Sequence, residues 1–480
     1  MELFIIPFLF ALAVLVMPRN LVRYFTLAGG LTSLIVAACH VVHYVPSAHY
    51  VSIVPQMFTS FGLTYQMGYD GMSLFMVLLT NAITLIILLS NFNRDLSANR
   101  MFSSLVLFMQ VGLLGVFLAM DGLMFYIFWE ITLIPVFLIA LWYGAPGRKE
   151  ALVKFFIYTF VGSLAMLFSL MAIKYNAKSF AIADLMAVEL TAKSAFWIMG
   201  GFFLAFAIKI PLFPFHTWQP NTYTVSPMAG TMLLSALMLK MALYGMIRWM
   251  IPLAPEALHC MLWPVVILGI IGVVYAGILA IKQNDIKRLF AFASISHVGL
   301  IAAGAMLFNT DALSAVFIQM ANHSLVAIGL FLAADILERN MGTRNLSELG
   351  GIAQLAPKFA FWFAAIAFAS VSVPFTSGFI GEFLLLRELY SFDWIVGLIA
   401  GTTLVFGAVY TLRAYQLSMF GAPKTTTVFP DLAWNEWLVF ALLMVMIVIL
   451  GICPQLVIDF VGPSVNRLID AVQASNTLVP

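Results

Sequence analysis

A chain of 480 residues that is 63% hydrophobic and 9% charged, with a mean hydropathy of +1.03, is too apolar for a water-soluble fold, whose apolar share is about 45 to 50%. The net charge of +2 points to no nucleic acid or other highly charged partner. Cys39, Cys260 and Cys453 stand singly, with no C-x-x-C, Cys/His cluster or Gly-rich phosphate loop, which argues against a structural zinc, an iron-sulfur cluster or a nucleotide site on this chain.

A bilayer span needs about 20 apolar residues, and about fourteen such runs follow one another. They are Leu3 to Met17, Phe25 to Val45, Met72 to Phe92, Met101 to Met120, Leu123 to Trp142, Leu152 to Ile173 and Ala195 to Phe215. Then come Met228 to Met250, Leu258 to Ile281, Leu289 to Phe308, Leu313 to Leu337, Phe359 to Leu389, Trp394 to Phe420 and Glu436 to Phe460. The first run lacks a basic flank and reads as a retained helix, not a cleaved leader. The expected fold is an all-α polytopic membrane protein, a single membrane domain over residues 1–480.

Basic residues are concentrated in the odd-numbered connections, among them Arg19, Arg94, Arg148, Lys287, Arg344 and Lys358. Such loops face the cytoplasm. With an even number of spans, both termini then lie on the opposite, non-cytoplasmic side, as expected of a protein in a bacterial inner membrane.

Phe156-Ile157 with Ser163-Leu164 recurs as Phe317-Ile318 with Ser324-Leu325, and Gly230-Thr231 recurs as Gly401-Thr402. Units five spans apart run in opposite directions through the membrane. Two inverted five-helix repeats are therefore expected, 101–250 (spans 4–8) and 258–420 (spans 9–13). Each contains a broken helix, marked by Pro211 and Pro214 in one and by Pro374, Gly378 and Gly381 in the other. Paired breaks of this kind mark transporters, and a helix is broken in lipid only where its freed backbone faces protein or water.

Glu130, Lys209, Lys240 and Glu382 lie inside these apolar runs. Each buried ion costs roughly 2.5 to 3.5 kcal/mol on insertion scales, so four cost on the order of 10 kcal/mol unless compensated. Burial disfavours the charged lysine and a nearby carboxylate favours it, so a Glu130–Lys209 pair that opens and closes would take up and release a proton; a permanent structural salt bridge is the alternative. Lys240 has no acidic residue within a helical turn and is either a relay or bonded to unwound carbonyls. His297 and His323, with His216 beside the first break, are candidate relay or water-ordering groups, or satisfied structural histidines. Arg413 stays charged and reads as structural. Ser294, Ser296, Thr159, Ser163, Ser324 and Ser377 are possible stepping stones, although such hydroxyls often bond only to their own helix.

Phe-Trp-Glu at 128–130, Lys-Phe-Phe-Ile-Tyr-Thr at 154–159, Ala-Ile-Lys-Ile-Pro-Leu-Phe-Pro-Phe-His-Thr-Trp at 207–218, Ser-Ile-Ser-His-Val-Gly at 294–299 and Gly-Phe-Ile-Gly-Glu-Phe at 378–383 together resemble the antiporter-like subunits of respiratory complex I (NADH:quinone oxidoreductase). Mrp-type cation/proton antiporters and membrane-bound hydrogenases share this pattern. The resemblance covers nearly the whole chain and is strongest to the branch of chain M, the counterpart of mitochondrial subunit 4. Glu382 stands where the sister chains L and N are expected to carry lysine, and chain L's long lateral C-terminal helix is not expected here.

The resemblance implies a proton relay through Glu130 paired with Lys209, then Lys240, His297, His323 and Glu382. It also implies that FMN, iron-sulfur clusters and quinone belong to partner subunits, that chains L and N are neighbours, and that this chain carries no cofactor and performs no redox step. One departure stands out. Where the family commonly reads Leu-Pro-Asp-Ala-His after His216-Thr-Trp, this chain has Gln219-Pro220-Asn221-Thr222-Tyr223, which removes an acid and a histidine from that loop. A subunit of an Mrp-type cation/proton antiporter or of a membrane-bound, ion-pumping hydrogenase, and a purely structural coupling spacer, are the competing readings.

Overall fold

The computed structural model describes residues 1–46, 51–57, 65–424 and 429–476. In chain order its main elements are α1 (Glu2–Val14), α2 (Val22–His43), β1 (Val51–Met57), β2 (Tyr65–Tyr69), α3 (Gly71–Ser90), α4 (Arg100–Leu118), α5 (Gly122–Tyr143), α6 (Arg148–Lys174), α7 (Ala192–Lys209) and α8 (Gln219–Val225). They continue with α9 (Met228–Leu253), α10 (Leu258–Lys282), α11 (Ile286–Met306), α12 (Thr310–Met341), α13 (Pro357–Ser370), α14 (Ser377–Phe392), α15 (Trp394–Met419), α16 (Trp434–Ile452) and α17 (Gln455–Asn476). Twelve of the described helices are long and apolar enough to cross a bilayer, and Glu2–Val14 and Pro357–Ser370 are shorter apolar helices. With α13 and α14 forming one broken crossing, these account for the fourteen expected spans. The chain is an all-α, multi-pass integral membrane protein, with one antiparallel hairpin, β1 with β2, as its only paired strands among the described residues.

Polar caps start many of the helices: Asp70, Asn99, Asp121, Thr191, Asp285, Asn309 and Asp393 each accept from a backbone N–H of the following first turn. The caps satisfy amides that would otherwise be left unpaired at the bilayer edge. Connections of like parity meet one another. Met67 bridges Ala119 and Asp121 bridges Ala181 on one face, and Asp285 bridges Asn345 on the other. Met1 packs near Met67 and Leu118, and α17 caps the starts of α3 and α12, so both ends of the described chain lie on the face of the even-numbered connections.

Span 14 was expected to run to Phe460. Instead α16 stops at Ile452, because Pro454 follows and the residue before a proline disfavours helix. A separate helix, α17, begins at Gln455. Its Val457, Val461, Val465, Leu468 and Val472 form one buried stripe at helical spacing, the Gly71 amide donates to Ser464 Oγ at 2.9 Å, and Thr310 Oγ1 donates to Asn466 Oδ1 at 2.6 Å.

At the centre, α9, α11 and α12 are almost wholly enclosed, whereas α2, α6, α15 and α16 present Val, Ile, Leu and Phe outward as a lipid-facing layer does. The α10–α11 contact depends on two glycines. A Cβ on Gly299 would sit 2.6 Å from the Gly269 carbonyl oxygen, and one on Gly269 would sit 2.7 Å from that of Gly299. Ser296 Oγ donates across this seam to Val273 O at 2.9 Å.

Both predicted breaks occur. After Lys209 the chain leaves the helix through Pro211 and Pro214, and the Trp218 indole N–H donates to the freed Ile208 carbonyl at 2.8 Å. After Ser370 it opens over residues 371–376 around Pro374, with Ser372 and Phe375 at φ of 58° and 73°, a left-handed conformation that non-glycine residues seldom adopt. Gly378 and Gly381 are not part of that break, contrary to the sequence expectation. They are helical positions of α14 that let it approach α12: a Cβ at Gly378 would lie 3.1 Å from Asn322 Nδ2, and one at Gly381 would overlap Gln319.

Replacing Gly299 by valine is expected to force α10 and α11 apart and to destabilise the chain by about 1 to 3 kcal/mol. The drop would be read as a lowered unfolding temperature of the detergent-solubilised protein, with Ala at the same position giving a smaller shift.

Candidate proton-relay site

The centre of the site is Lys240. The turn before it, Leu234–Met238, is a π-helix, a widened turn that loosens the regular carbonyl ladder. Two carbonyls from that turn find side-chain donors: Lys240 Nζ donates to Ser235 O at 2.8 Å, and Ser324 Oγ donates to Ala236 O at 2.7 Å. Lys240 is fully buried, and its second partner is His323 Nδ1 at 2.6 Å.

The proton positions follow from the partners. With the ammonium donating to Nδ1, a neutral His323 carries its own proton on Nε2, which faces Ser294 Oγ at 3.0 Å. The imidazole ring therefore joins a donor on one side to a hydroxyl on the other.

Glu382, on α14, accepts from His297 Nδ1 at 2.9 Å and from Gln319 Nε2 at 3.1 Å, both at Oε1. The other ring nitrogen of His297 meets the Tyr410 hydroxyl at 3.0 Å. If His297 donates to the carboxylate, Nε2 is the acceptor for the Tyr410 proton. Ser377 Oγ donates to Asn322 Oδ1 at 2.9 Å, which ties the start of α14 to α12.

The rings of His297 and His323 lie 6.5 Å apart, centroid to centroid, too far for a direct bond. Between them is a cavity of about 30 Å³ whose lining includes Ser294, His297, Gln319, Asn322 and His323. At roughly 10 to 15 Å³ of accessible volume per water, that is room for about two. Polar partners surround it on several sides.

The other half is built differently. Lys209 is the last residue of α7, where the negative end of the helix dipole favours a cation, and it is buried. Its ammonium lies over the Trp129 ring, 5.1 Å from the centroid. Glu130 sits half-buried on the flank of α5, near enough to bear on Lys209 electrostatically, and makes no ion pair among the described residues, so the pair expected to open and close stands open here. The Trp129 ring, packed edge to face on Phe206, is what lies against the ammonium instead. Lys209 also has no hydrogen-bonded link to Lys240 among the described residues. Direct bonds therefore form two groups, Lys240–His323–Ser294 and Tyr410–His297–Glu382–Gln319, that meet across the small cavity, with Glu130 and Lys209 apart from both; the row expected from the sequence is a hydrated one, linked by water.

Of the auxiliary candidates, Ser294 joins the cluster. Thr159 donates to Phe155 O, Ser163 to Phe160 O, and Ser296 and Ser324 to carbonyls of neighbouring helices. His216 is buried between Phe213 and Tyr275, away from the cluster. Arg413 donates to the Ile281 and Gln283 carbonyls at the end of α10, a structural role as expected.

Sequence reasoning missed Tyr410, Gln319 and Asn322. The last two share a helical face with His323, a spacing that was available to be noticed. It also missed the buried Asp70–Arg248 ion pair at 2.8 Å. Asp70 caps α3 through the Ser73 amide, and Ser73 Oγ bonds Tyr244 OH at 2.8 Å, one helical turn past Lys240.

A buried polar cluster of this kind, with two broken helices carrying Lys209 and Glu382 inside a fourteen-crossing bundle, invites comparison with known proteins. Residues 119–407 match the model of the NADH:quinone oxidoreductase/Mrp antiporter transmembrane family. The chain belongs to that family. It is 34% identical over 424 residues to the NADH-quinone oxidoreductase subunit M of Rhodobacter capsulatus, covering 85% of this chain and 82% of that one. A chain of respiratory complex I from Thermus thermophilus superposes with a TM-score of 0.90 at 30% identity, covering 98% of this chain and 99% of that one. A chain of the Mrp complex from a Dietzia species shares the fold, with a TM-score of 0.89 at 21% identity and coverage of 99% of each. Family membership extends over both broken helices, Lys209, Lys240 and the Ser294–Glu382 cluster.

Arg248→Met is expected to destabilise the protein by about 3 to 5 kcal/mol, because it strands the buried Asp70 carboxylate. Asp70→Leu combined with Arg248→Met should recover much of that loss in a double-mutant cycle of thermal stability.

Proposed function

We propose that this chain is a proton-translocating membrane-arm subunit of an NADH:quinone oxidoreductase. In this reading protons move through Lys240, His323, Ser294, His297 and Glu382, with Glu130 and Lys209 as a second, gated pair. The observation that carries it is the buried Lys240–His323 hydrogen bond. An ammonium proton delivered to Nδ1 leaves the ring charged, the Nε2 proton departs toward Ser294 and water, and lysine is left neutral to be reprotonated. The next group is His297, which passes its Nδ1 proton to Glu382 and takes the Tyr410 hydroxyl proton at Nε2, the proton released toward the cavity water then restoring Tyr410. Each transfer runs between groups within hydrogen-bond reach or across the small cavity, which has room for about two waters.

Glu130 influences Lys209 without touching it, which suits a pair that closes during turnover and opens again. The chain itself performs no redox step. FMN, iron-sulfur clusters and quinone reside in partner subunits and supply the drive, and sister antiporter-like chains L and N adjoin this one in the membrane arm. Residues 101–250 and 258–420 act as two inverted halves, each contributing a broken helix. The membrane is a bacterial inner membrane, the basic odd-numbered connections face the cytoplasm, and both termini lie on the other side.

The Mrp likeness supports a second reading, a cation/proton antiporter subunit using the same residues. Co-purification with flavin and iron-sulfur proteins and NADH-dependent quinone reduction favour the first reading; their absence favours the second. A structural spacer is the third.

In a complex that still assembles, Lys240→Ala is expected to reduce NADH-driven proton uptake into inverted vesicles by roughly tenfold or more, the scale of a lost proton-transfer group, while NADH oxidation by an artificial acceptor is unchanged. Unchanged uptake per NADH would support the spacer. Glu382→Gln should likewise lower uptake, with Gln319→Leu giving a smaller effect because it removes only one of the carboxylate's two donors.

A further inference from the structure

The relay cavity has a neighbour on the face of the odd-numbered connections. There an open vestibule of about 460 Å³ is lined by residues from five of those connections, among them Arg94, Tyr143, Thr224, Lys287, Asp335 and Arg344. Its lining mixes both signs of charge, which keeps it wet. Lys287 marks the throat: it is buried, and its Nζ donates to Ser226 O at 2.6 Å.

Two antiparallel helices lead from this vestibule to the relay cavity, and each presents a charged residue, a phenylalanine, a small residue and a histidine in that order. On α11, Lys287 is followed at helical spacing by Phe290, Ser294 and His297. On α12, read toward its start, Asp335 is followed by Phe331, Ala327 and His323. Steps of three or four residues keep each set on one helical face. The first member of each set lines the vestibule and the others line the relay cavity. From Lys287 to Ser294 is about 10 Å along the helix axis.

The two second members meet. The Phe290 and Phe331 rings lie edge to face, with centroids 6.2 Å apart and planes at 90°, and both are buried. Tyr223 packs on Phe331 in turn, centroids 5.9 Å apart. This is the residue that replaces the histidine expected in that loop.

We infer that the α11–α12 seam is the chain's access route from the odd-loop face, with Lys287 at its throat and the Phe290–Phe331 contact, backed by Tyr223, as a dry barrier in front of the His323/His297 cavity. Protons pass along hydrogen-bonded water, and the two edge-to-face rings themselves offer water no polar partner. The route conducts only when the rings part. A path open at all times would let protons run back through the relay. Its use by protons rests on the function proposed above, whereas the barrier is a claim about access and can be tested separately.

The test is cysteine accessibility in the complete complex in membranes, with Cys39, Cys260 and Cys453 changed to serine and a small membrane-impermeant trimethylammonium methanethiosulfonate as the probe. Thr224→Cys, in the vestibule, should be modified from the odd-loop face only. Ser294→Cys should be unreactive while Phe331 is intact and become reactive from that same face when Phe331→Ala is added. Phe331→Leu, a milder change that preserves folding, should give an intermediate rate. The inference is overturned if Ser294→Cys reacts equally with Phe331 intact, if it reacts from the even-loop face, or if it stays unreactive after both Phe331→Leu and Phe331→Ala. None of these readouts requires proton transport. Loss of pumping in Lys240→Ala with no barrier effect, or the converse, would separate failure of one claim from failure of the other.

Discussion

An ammonium group in the middle of a bilayer needs partners that a regular helix cannot supply, because every carbonyl of such a helix is already bonded within its own ladder. Lys240 meets that constraint through two features at once. The π-turn at Leu234–Met238 makes the Ser235 carbonyl available, and α12 brings His323 within 2.6 Å. Much of the surrounding architecture serves this contact. The enclosure of α9, α11 and α12 keeps lipid away from it, and Ser324 takes the Ala236 carbonyl that the same turn loosens. A histidine is an apt partner, since its two nitrogens let it accept on one side and donate on the other.

The two broken helices have different consequences. The first break ends α7 on Lys209, so the cation sits at the carbonyl end of a half-helix with an indole ring beneath it. The second is followed by a half-helix that carries Glu382 about a turn and a half beyond its start, where Gly381 leaves space for Gln319 to reach the carboxylate. One break thus acts through the helix terminus itself, the other by changing how closely a half-helix approaches α12. The result is an asymmetric pair of sites: a cation on an indole ring with its carboxylate held off to one side, and a hydrogen-bonded Tyr410–His297–Glu382 group beside a small cavity.

The faces of the molecule are also unequal. On the even-loop face the β-hairpin and α17 tie the starts of several helices together, and the Asp70–Arg248 pair is buried just inside. On the odd-loop face the connections leave a charged vestibule of about 460 Å³. The cluster from Lys240 to Glu382 lies between a closed face and an open one.

Hydrophobic run length and the sparse charges were enough to determine the class, the number of crossings and the sorting of loops into two faces, because the bilayer imposes those limits on any sequence. They also singled out Glu130, Lys209, Lys240, His297, His323 and Glu382, since polar groups in such runs stand out against the apolar background. Proline spacing located both breaks. Which of these groups touch was decided only by the tertiary structure. The Lys240–His323 and His297–Glu382 bonds join residues 83 and 85 positions apart, and no local pattern encodes such pairings. That the Glu130–Lys209 pair stands open goes with the Trp129 ring lying against Lys209, and the recruitment of Tyr410 depends on the distance between α11 and α15. Side-chain direction and helix-to-helix distance are properties of the packed bundle, and a one-dimensional reading has no access to them.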